Sequence, residues 1–300
     1  MKTHTARILI TVFLTTLLSL TGLLSCKTKE STNNTIIVSI APLKGFVEDI
    51  TCGDFMVEVL VPEGSSPETY SPTPQQIIQI EKAAFVFTTG LIDFETELVD
   101  KISKSLISNN KKITPLSKNI PLLSGTCSHS HDDLATHDGH HHGTDPHIWT
   151  SPEQLKVIAE NIYNTIISIY PDSVKYTDGF RDLYKKIDSL SIWVEGEVKA
   201  SNNKKFLIYH PALAYYANDY ELEQISIENE GKEPSATHMK SIIDEARLAG
   251  IKSIMYQREF PRSVVEPIAK ELDAEIVEIN PLSEDILNEI RKITFVIARK

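Results

Sequence analysis

The chain has 300 residues, a formal net charge of −11 and 41% hydrophobic residues. Its length accommodates two domains of ordinary size. The acidic balance argues against nucleic acid as a partner and is compatible with cations.

Lys2 and Arg7 precede an apolar run, residues 8–24, that closes on Leu23-Leu24-Ser25-Cys26. The run is too short and wrongly flanked for a membrane-spanning helix, so it reads as a targeting segment. A small residue before a cysteine resembles a bacterial lipobox, in which Cys26 is lipidated and becomes the first residue. An ordinary signal peptide cleaved nearby is the alternative. Removing residues 1–25 takes away two positive charges and no negative one, moving the net charge from −11 to −13. Residues 27–34 are polar throughout and read as a tether. Two cysteines then remain, Cys52 and Cys127, which either pair in an oxidising compartment or stay as separate thiols.

Two β-branched runs ended by proline, 35–42 and 55–62, predict strands, with helical spacing over 43–51 between them. Pro74 opens a helix through residue 84, with Ile77, Ile78 and Ile80 on its inner side. Residues 85–90 read as a buried strand and 94–107 as an amphipathic helix. A helix over 152–170 is broken by Pro171-Asp172. Tyr176, Phe180, Leu183, Ile187, Leu190 and Val194 then keep helical period over 172–200, a helix of about 40 Å. Strands are predicted again at 205–209, 224–227, 253–256 and 275–279, with helices at 212–218, 236–249, 264–272 and 284–298. This alternation predicts an α/β protein of two lobes, 35–171 and 201–300. Each carries a mostly parallel sheet flanked by helices, and one long rigid helix joins them.

Seven of the ten histidines fall between Cys127 and Trp149. His129, His131, His137, His140, His141 and His142 lie among Asp, Gly and Ser with no apolar period, so they read as an exposed loop that can collect metal. An inert solvated segment is the alternative. His147 differs, because Asp145-Pro146-His147-Ile148-Trp149 has the apolar content of an ordered segment. Ligands of open α/β sheets bind beyond the carboxyl ends of the strands, which singles out Glu68, His210, Glu259 and Asn280. Each has a plainer reading: a solvated carboxylate for Glu68, a core histidine for His210, a partner of Arg258 or Arg262 for Glu259, and a turn residue for Asn280.

At these residues the chain resembles the solute-binding lipoproteins of bacterial zinc and manganese ABC importers, over essentially its whole exported length. Asp145 to Trp149 after a His-rich loop and His210-Pro211-Ala212-Leu213-Ala214-Tyr215 match two of that family's segments. A third reads Pro67-Glu68-Thr69-Tyr70-Ser71-Pro72-Thr73-Pro74, with Glu68 where the family usually has histidine; Asn280 stands where it has a late aspartate. The resemblance implies metal captured between lobes by His147, His210 and Glu68, with Glu259 or water completing the shell. It also implies a monomer held to the membrane by its lipid and delivering metal to an ABC permease.

Three histidines favour zinc, whereas carboxylate oxygens move a site toward manganese or iron. The His-rich loop tips the reading to zinc. Both imidazoles must bind unprotonated, so affinity is expected to fall below about pH 6.5. An enzyme is not expected: a zinc hydrolase with Glu68 or Glu259 as base lacks a His-Glu-x-x-His helix or any evident nucleophile. A surface adhesin or metal buffer using only the loop is the remaining alternative.

Overall fold

The structure, a computed structural model, describes residues 34–106, 113–125, 143–228 and 235–299. The first β-branched runs form β1 (Thr35–Val38), β2 (Met56–Val59) and β3 (Phe85–Thr88), joined by a fourth short strand, β4 (Ile113–Pro115). Helices α1 (Pro42–Thr51), α2 (Pro74–Lys82) and α3 (Asp93–Leu106) fill the gaps. Helix α2 begins as its sequence dictates: Thr73 and Gln76 form a capping box and Pro74 occupies the first turn. The strands pair in the order β2-β1-β3-β4, all parallel.

Helix α4 (Pro152–Ile167) follows a short turn at Ile148–Thr150, and then comes the long helix α5 (Val174–Ala200). The second half contains β5 (Lys205–Ile208), α6 (Ala214–Asp219), β6 (Glu223–Ser226), α7 (Ala236–Leu248), β7 (Ser253–Gln257), α8 (Glu266–Leu272), β8 (Glu275–Ile279) and α9 (Ile286–Ala298). Its sheet has the order β6-β5-β7-β8, again all parallel. The two lobes therefore share one strand order. That is the expected two-lobed α/β architecture, each sheet flanked by helices.

Helix α5 buries Tyr176, Leu183, Ile187, Leu190, Val194 and Val198 along one stripe and packs on α1, α4 and α9. Its 27 residues give about 40 Å of length, and Ser173 caps its start by accepting from the Tyr176 amide. One apolar core runs from the first sheet along this helix to α9 and one face of the second sheet, through Phe206, Ile208, Met255 and Ile279. The opposite face of that sheet builds a second core from Leu207, Tyr209, Ile225, Ile254 and Tyr256. Alternate residues of β5 thus serve different cores, as the two-residue period of a strand requires.

Two local expectations are corrected. Strand β4 went unforeseen because its three residues end in proline and sit on the sheet's edge, where a short ladder suffices. In α2, Ile80 is buried but Ile78 is 51% exposed. Ile77 and Ile78 are successive residues about 100° apart on a helix, so both cannot face the sheet.

Gly179 is where α5 meets α1. A Cβ there would stand 2.5 Å from the Asp49 carbonyl oxygen and 2.8 Å from that of Ile50. Backbone atoms cannot rotate aside, so Gly179→Ala is expected to destabilise by about 1–3 kcal/mol. A fall in Tm of roughly 2–10 °C in thermal denaturation checks this; an unchanged Tm would mean that the helices separate without cost.

Candidate metal centre

Glu68 lies in a single turn, Pro67–Thr69, on the loop between β2 and α2. The loop is held at both ends, because Gln76 Nε2 donates to the Leu60 carbonyl at 2.9 Å and the Gln76 side-chain oxygen accepts from Tyr70 Oη at 2.7 Å. His147 precedes the buried turn Ile148–Thr150, and Thr150 Oγ1 donates to its carbonyl at 2.9 Å. His210 lies two residues beyond β5. Gln257, the last residue of β7, clamps its backbone: Gln257 Oε1 accepts from the His210 amide at 3.2 Å and Gln257 Nε2 donates to the His210 carbonyl at 2.6 Å.

These elements bring Glu68, His147 and His210 together, with one ligand atom from each lying within 4.8 Å of the others. The two Nε2 atoms are 3.4 Å apart. Glu68 Oε1 is 3.1 Å from His210 Nε2 and 3.8 Å from His147 Nε2. Two imidazole nitrogens on one tetrahedral zinc at 2.0–2.1 Å would be separated by about 3.3 Å, so the spacing fits a shared zinc ion.

Each ring is aimed by a carboxylate on its other nitrogen. Asp145 Oδ1 lies 3.0 Å from His147 Nδ1 and also accepts the His147 amide at 2.8 Å. Glu228 Oε2 lies 2.7 Å from His210 Nδ1. A proton on Nδ1 shared with a carboxylate leaves Nε2 as the metal-facing lone pair and makes it more basic. Gln257 and Glu228 were not anticipated. Both stand at the carboxyl ends of strands in the second lobe, so the rule that selected His210 and Glu259 also covers them.

The surrounding pocket is lined by Pro67, Ile92, Pro146, Trp149, Phe260 and Leu282. Phe260 stacks on His210 with ring centroids 5.5 Å apart. The two histidine side chains are 10% and 12% exposed, whereas that of Glu68 is 40% exposed, so solvent reaches the site on the Glu68 side. Ile92 is placed by the loop after β3. There the fully buried Glu95 carboxylate accepts the amides of Thr89 at 2.9 Å and Gly90 at 2.7 Å.

Glu259 lines the same pocket but stands outside the close set of three. Burial raises its carboxyl above the usual range, only partly offset by its own backbone amide and by Arg258 and His210. The neighbouring arginines are engaged elsewhere: Arg258 pairs with Glu63 at 2.8 Å and Arg262 with Glu266 at 3.6 Å. Asn280 is a turn residue, its side-chain oxygen accepting the Leu282 amide at 3.2 Å. His129, His131, His137, His140, His141, His142, Cys127 and Cys26 lie outside the described residues. Cys52 is free and exposed. The two stems of the His-rich loop pair with each other, Gly125 N donating to Gly143 O at 2.6 Å and Asp145 N to Leu123 O at 2.9 Å. Tyr215 secures them from the second lobe, donating to the Asp145 carbonyl at 2.9 Å and accepting from the Leu123 amide at 3.2 Å.

Burial disfavours the charged form of His210, but its bonds to Glu228 and Glu68 outweigh this and push its pKa up to about 10. Burial would likewise raise Glu68, yet His210 and His147 hold it below the usual carboxylate range. Metal-free His210 therefore keeps its proton across the neutral range, and an incoming cation must displace it. The loss of affinity with falling pH thus begins well above the 6.5 expected from an unperturbed imidazole. Zinc affinity is expected to rise by up to tenfold per pH unit between pH 6.5 and 8.5, with about one proton released per ion. Calorimetry in buffers of different ionisation enthalpy measures this; a flat profile would contradict a charged His210.

Residues 36–294 match the model of the family described as zinc-uptake complex component A, periplasmic. The zinc-binding protein AdcA of Streptococcus pyogenes is 28% identical over 260 residues, covering 82% of this chain and 50% of that protein. The high-affinity zinc uptake system protein ZnuA of Bacillus subtilis is 26% identical over 251 residues, covering 82% of this chain and 78% of its own length. The chain thus spans about half the length of the AdcA relatives it matches. Among solved structures, a zinc-bound ZnuA carrying a deletion of its residues 138–173 superposes with a TM-score of 0.76 at 30% identity, covering 88% of this chain and 96% of its own. By a family match that runs from the first strand into the last helix, the chain belongs to the zinc-uptake complex component A family.

Proposed function

We propose that this chain is an exported zinc-capture protein that holds one ion between His147, His210 and Glu68 and delivers it to an ABC importer. The observation that carries the reading is the pair of Nε2 atoms 3.4 Å apart with Glu68 Oε1 beside them, each ring aimed by its own carboxylate. Water or Glu259 supplies the fourth ligand, Glu259 being part of the pocket wall. Cys26 carries the lipid that keeps the chain at the membrane face, and the His-rich loop gathers ions for the site. The protein works as a monomer, as a carrier rather than an enzyme.

The mixed nitrogen and oxygen donor set also keeps manganese in view as cargo, and competition decides between the two metals. Titration with zinc should find one tight site that survives deletion of residues 128–143 and is lost in His147→Ala and in His210→Ala. Glu228→Gln should retain the site but weaken it by about 10–100-fold, since it removes the group that aims His210. A tight site that vanishes with the loop would make the chain a metal buffer, and tighter binding of manganese than of zinc would reassign the cargo.

A further inference from the structure

At the amino-terminal edge of the first sheet, opposite the metal centre, the fold leaves large apolar side chains in solvent. Met56 is 60% exposed, Ile169 62%, Val174 71% and Tyr170 38%. All four lie at this end of the lobe, Met56 at the start of β2 and the others where α4 gives way to α5. The Tyr170 ring packs against Phe55 at 6.0 Å and Tyr176 at 5.7 Å, and Lys175, next to Val174, pairs with Asp54 at 2.6 Å. Cys52 lies on the same edge, its thiol 3.6 Å from the Lys175 carbonyl. Single exposed apolar residues are ordinary, whereas several gathered at one end of a lobe point to a contact surface.

The course of the chain indicates what covers it. The Asn34 carbonyl accepts the Met56 amide at 2.8 Å, so the polypeptide leaves the fold within one hydrogen bond of the patch. Seven residues separate Asn34 from Cys26, a span of at most about 30 Å when fully extended. A body of this length is about 45–50 Å across, so the tether is short against the protein it holds.

We propose that this patch rests on the lipid surface of the membrane in which Cys26 is anchored, with Met56, Ile169, Val174 and Tyr170 seated at the interface. The inference rests on the lipoprotein reading of the amino terminus. The contact is apolar: Lys175 is neutralised by Asp54 and the chain is acidic, so attraction to anionic headgroups does not supply it. Tyrosine suits the boundary, with an apolar ring and a polar tip. A short tether gives the patch a millimolar effective concentration at the surface, where a contact too weak for a free protein is still occupied. In this pose the carboxyl ends of the strands, and with them the metal site, face away from the bilayer, so the pose is one of ion collection and the patch must lift before delivery to a permease.

The test uses the full lipidated chain with Cys127→Ser and an environment-sensitive fluorophore on Cys52, in phosphatidylcholine vesicles carrying a quencher at headgroup depth. Quenching of at least twofold, unchanged in high salt, is expected. Adding Met56→Asp, Ile169→Asp and Val174→Asp should abolish quenching while the protein still floats with the vesicles and still binds zinc. Flotation without quenching in the parent protein, or quenching removed by salt, would overturn the patch and leave the anchor intact. A Cys26→Ser chain that floats as well as the parent would overturn the lipoprotein reading itself.

Discussion

The molecule turns on one electrostatic arrangement: two imidazoles from different lobes held with their Nε2 atoms facing each other, each fixed by a carboxylate on Nδ1. Without Asp145 and Glu228 the rings would be free to rotate and to present either nitrogen. With them, both Nε2 atoms converge beside Glu68, and three ligand atoms are placed before any ion arrives. Glu228, together with Glu68, also raises the basicity of His210, which makes protons the main competitor for that ring. A cation site built this way becomes weaker as protons accumulate.

The fold around this pair keeps the lobes in register. The long helix α5 joins a core that continues from the first sheet into the second lobe, so the lobes share packed interior rather than a flexible linker. Side-chain bonds add to it near the cleft: Trp149 Nε1 donates to the Pro281 carbonyl at 2.9 Å, Arg258 pairs with Glu63 at 2.8 Å and Lys44 with Glu284 at 2.9 Å. The exposed ion pairs are individually weak, whereas the buried tryptophan is fixed by packing as well as by its bond. Together they tie the two lobes beside the cleft, and Glu68 remains the solvent-facing side of the site.

Much of this was legible from the chain. Short apolar runs alternating with helical segments placed every strand but β4, and the strand-end rule led to His210. What the sequence concealed depends on distant register. Glu228 lies two residues beyond β6, and it reaches His210 because β6 lies beside β5 in the second sheet. Gln257 likewise looks like one more polar residue until β7 takes its place on the other side of β5. The plainer reading of Glu259 as an arginine partner could be weighed only once Arg258 was seen bound to Glu63 in the other lobe. Ile78 failed for a simpler reason: three isoleucines close together exceed the width of one helical face.

The central claim is that one zinc ion sits between two imidazoles and a carboxylate. X-ray absorption at the zinc edge, on the full chain with one equivalent of zinc, tests it most directly. The account predicts two imidazoles per ion, with the remaining light ligands at about 2.0–2.1 Å. It also predicts that this two-imidazole shell disappears in His210→Ala, where the tight site is lost. A shell of three or four imidazoles, unchanged by that substitution, would place the ion on the His-rich loop and contradict the account.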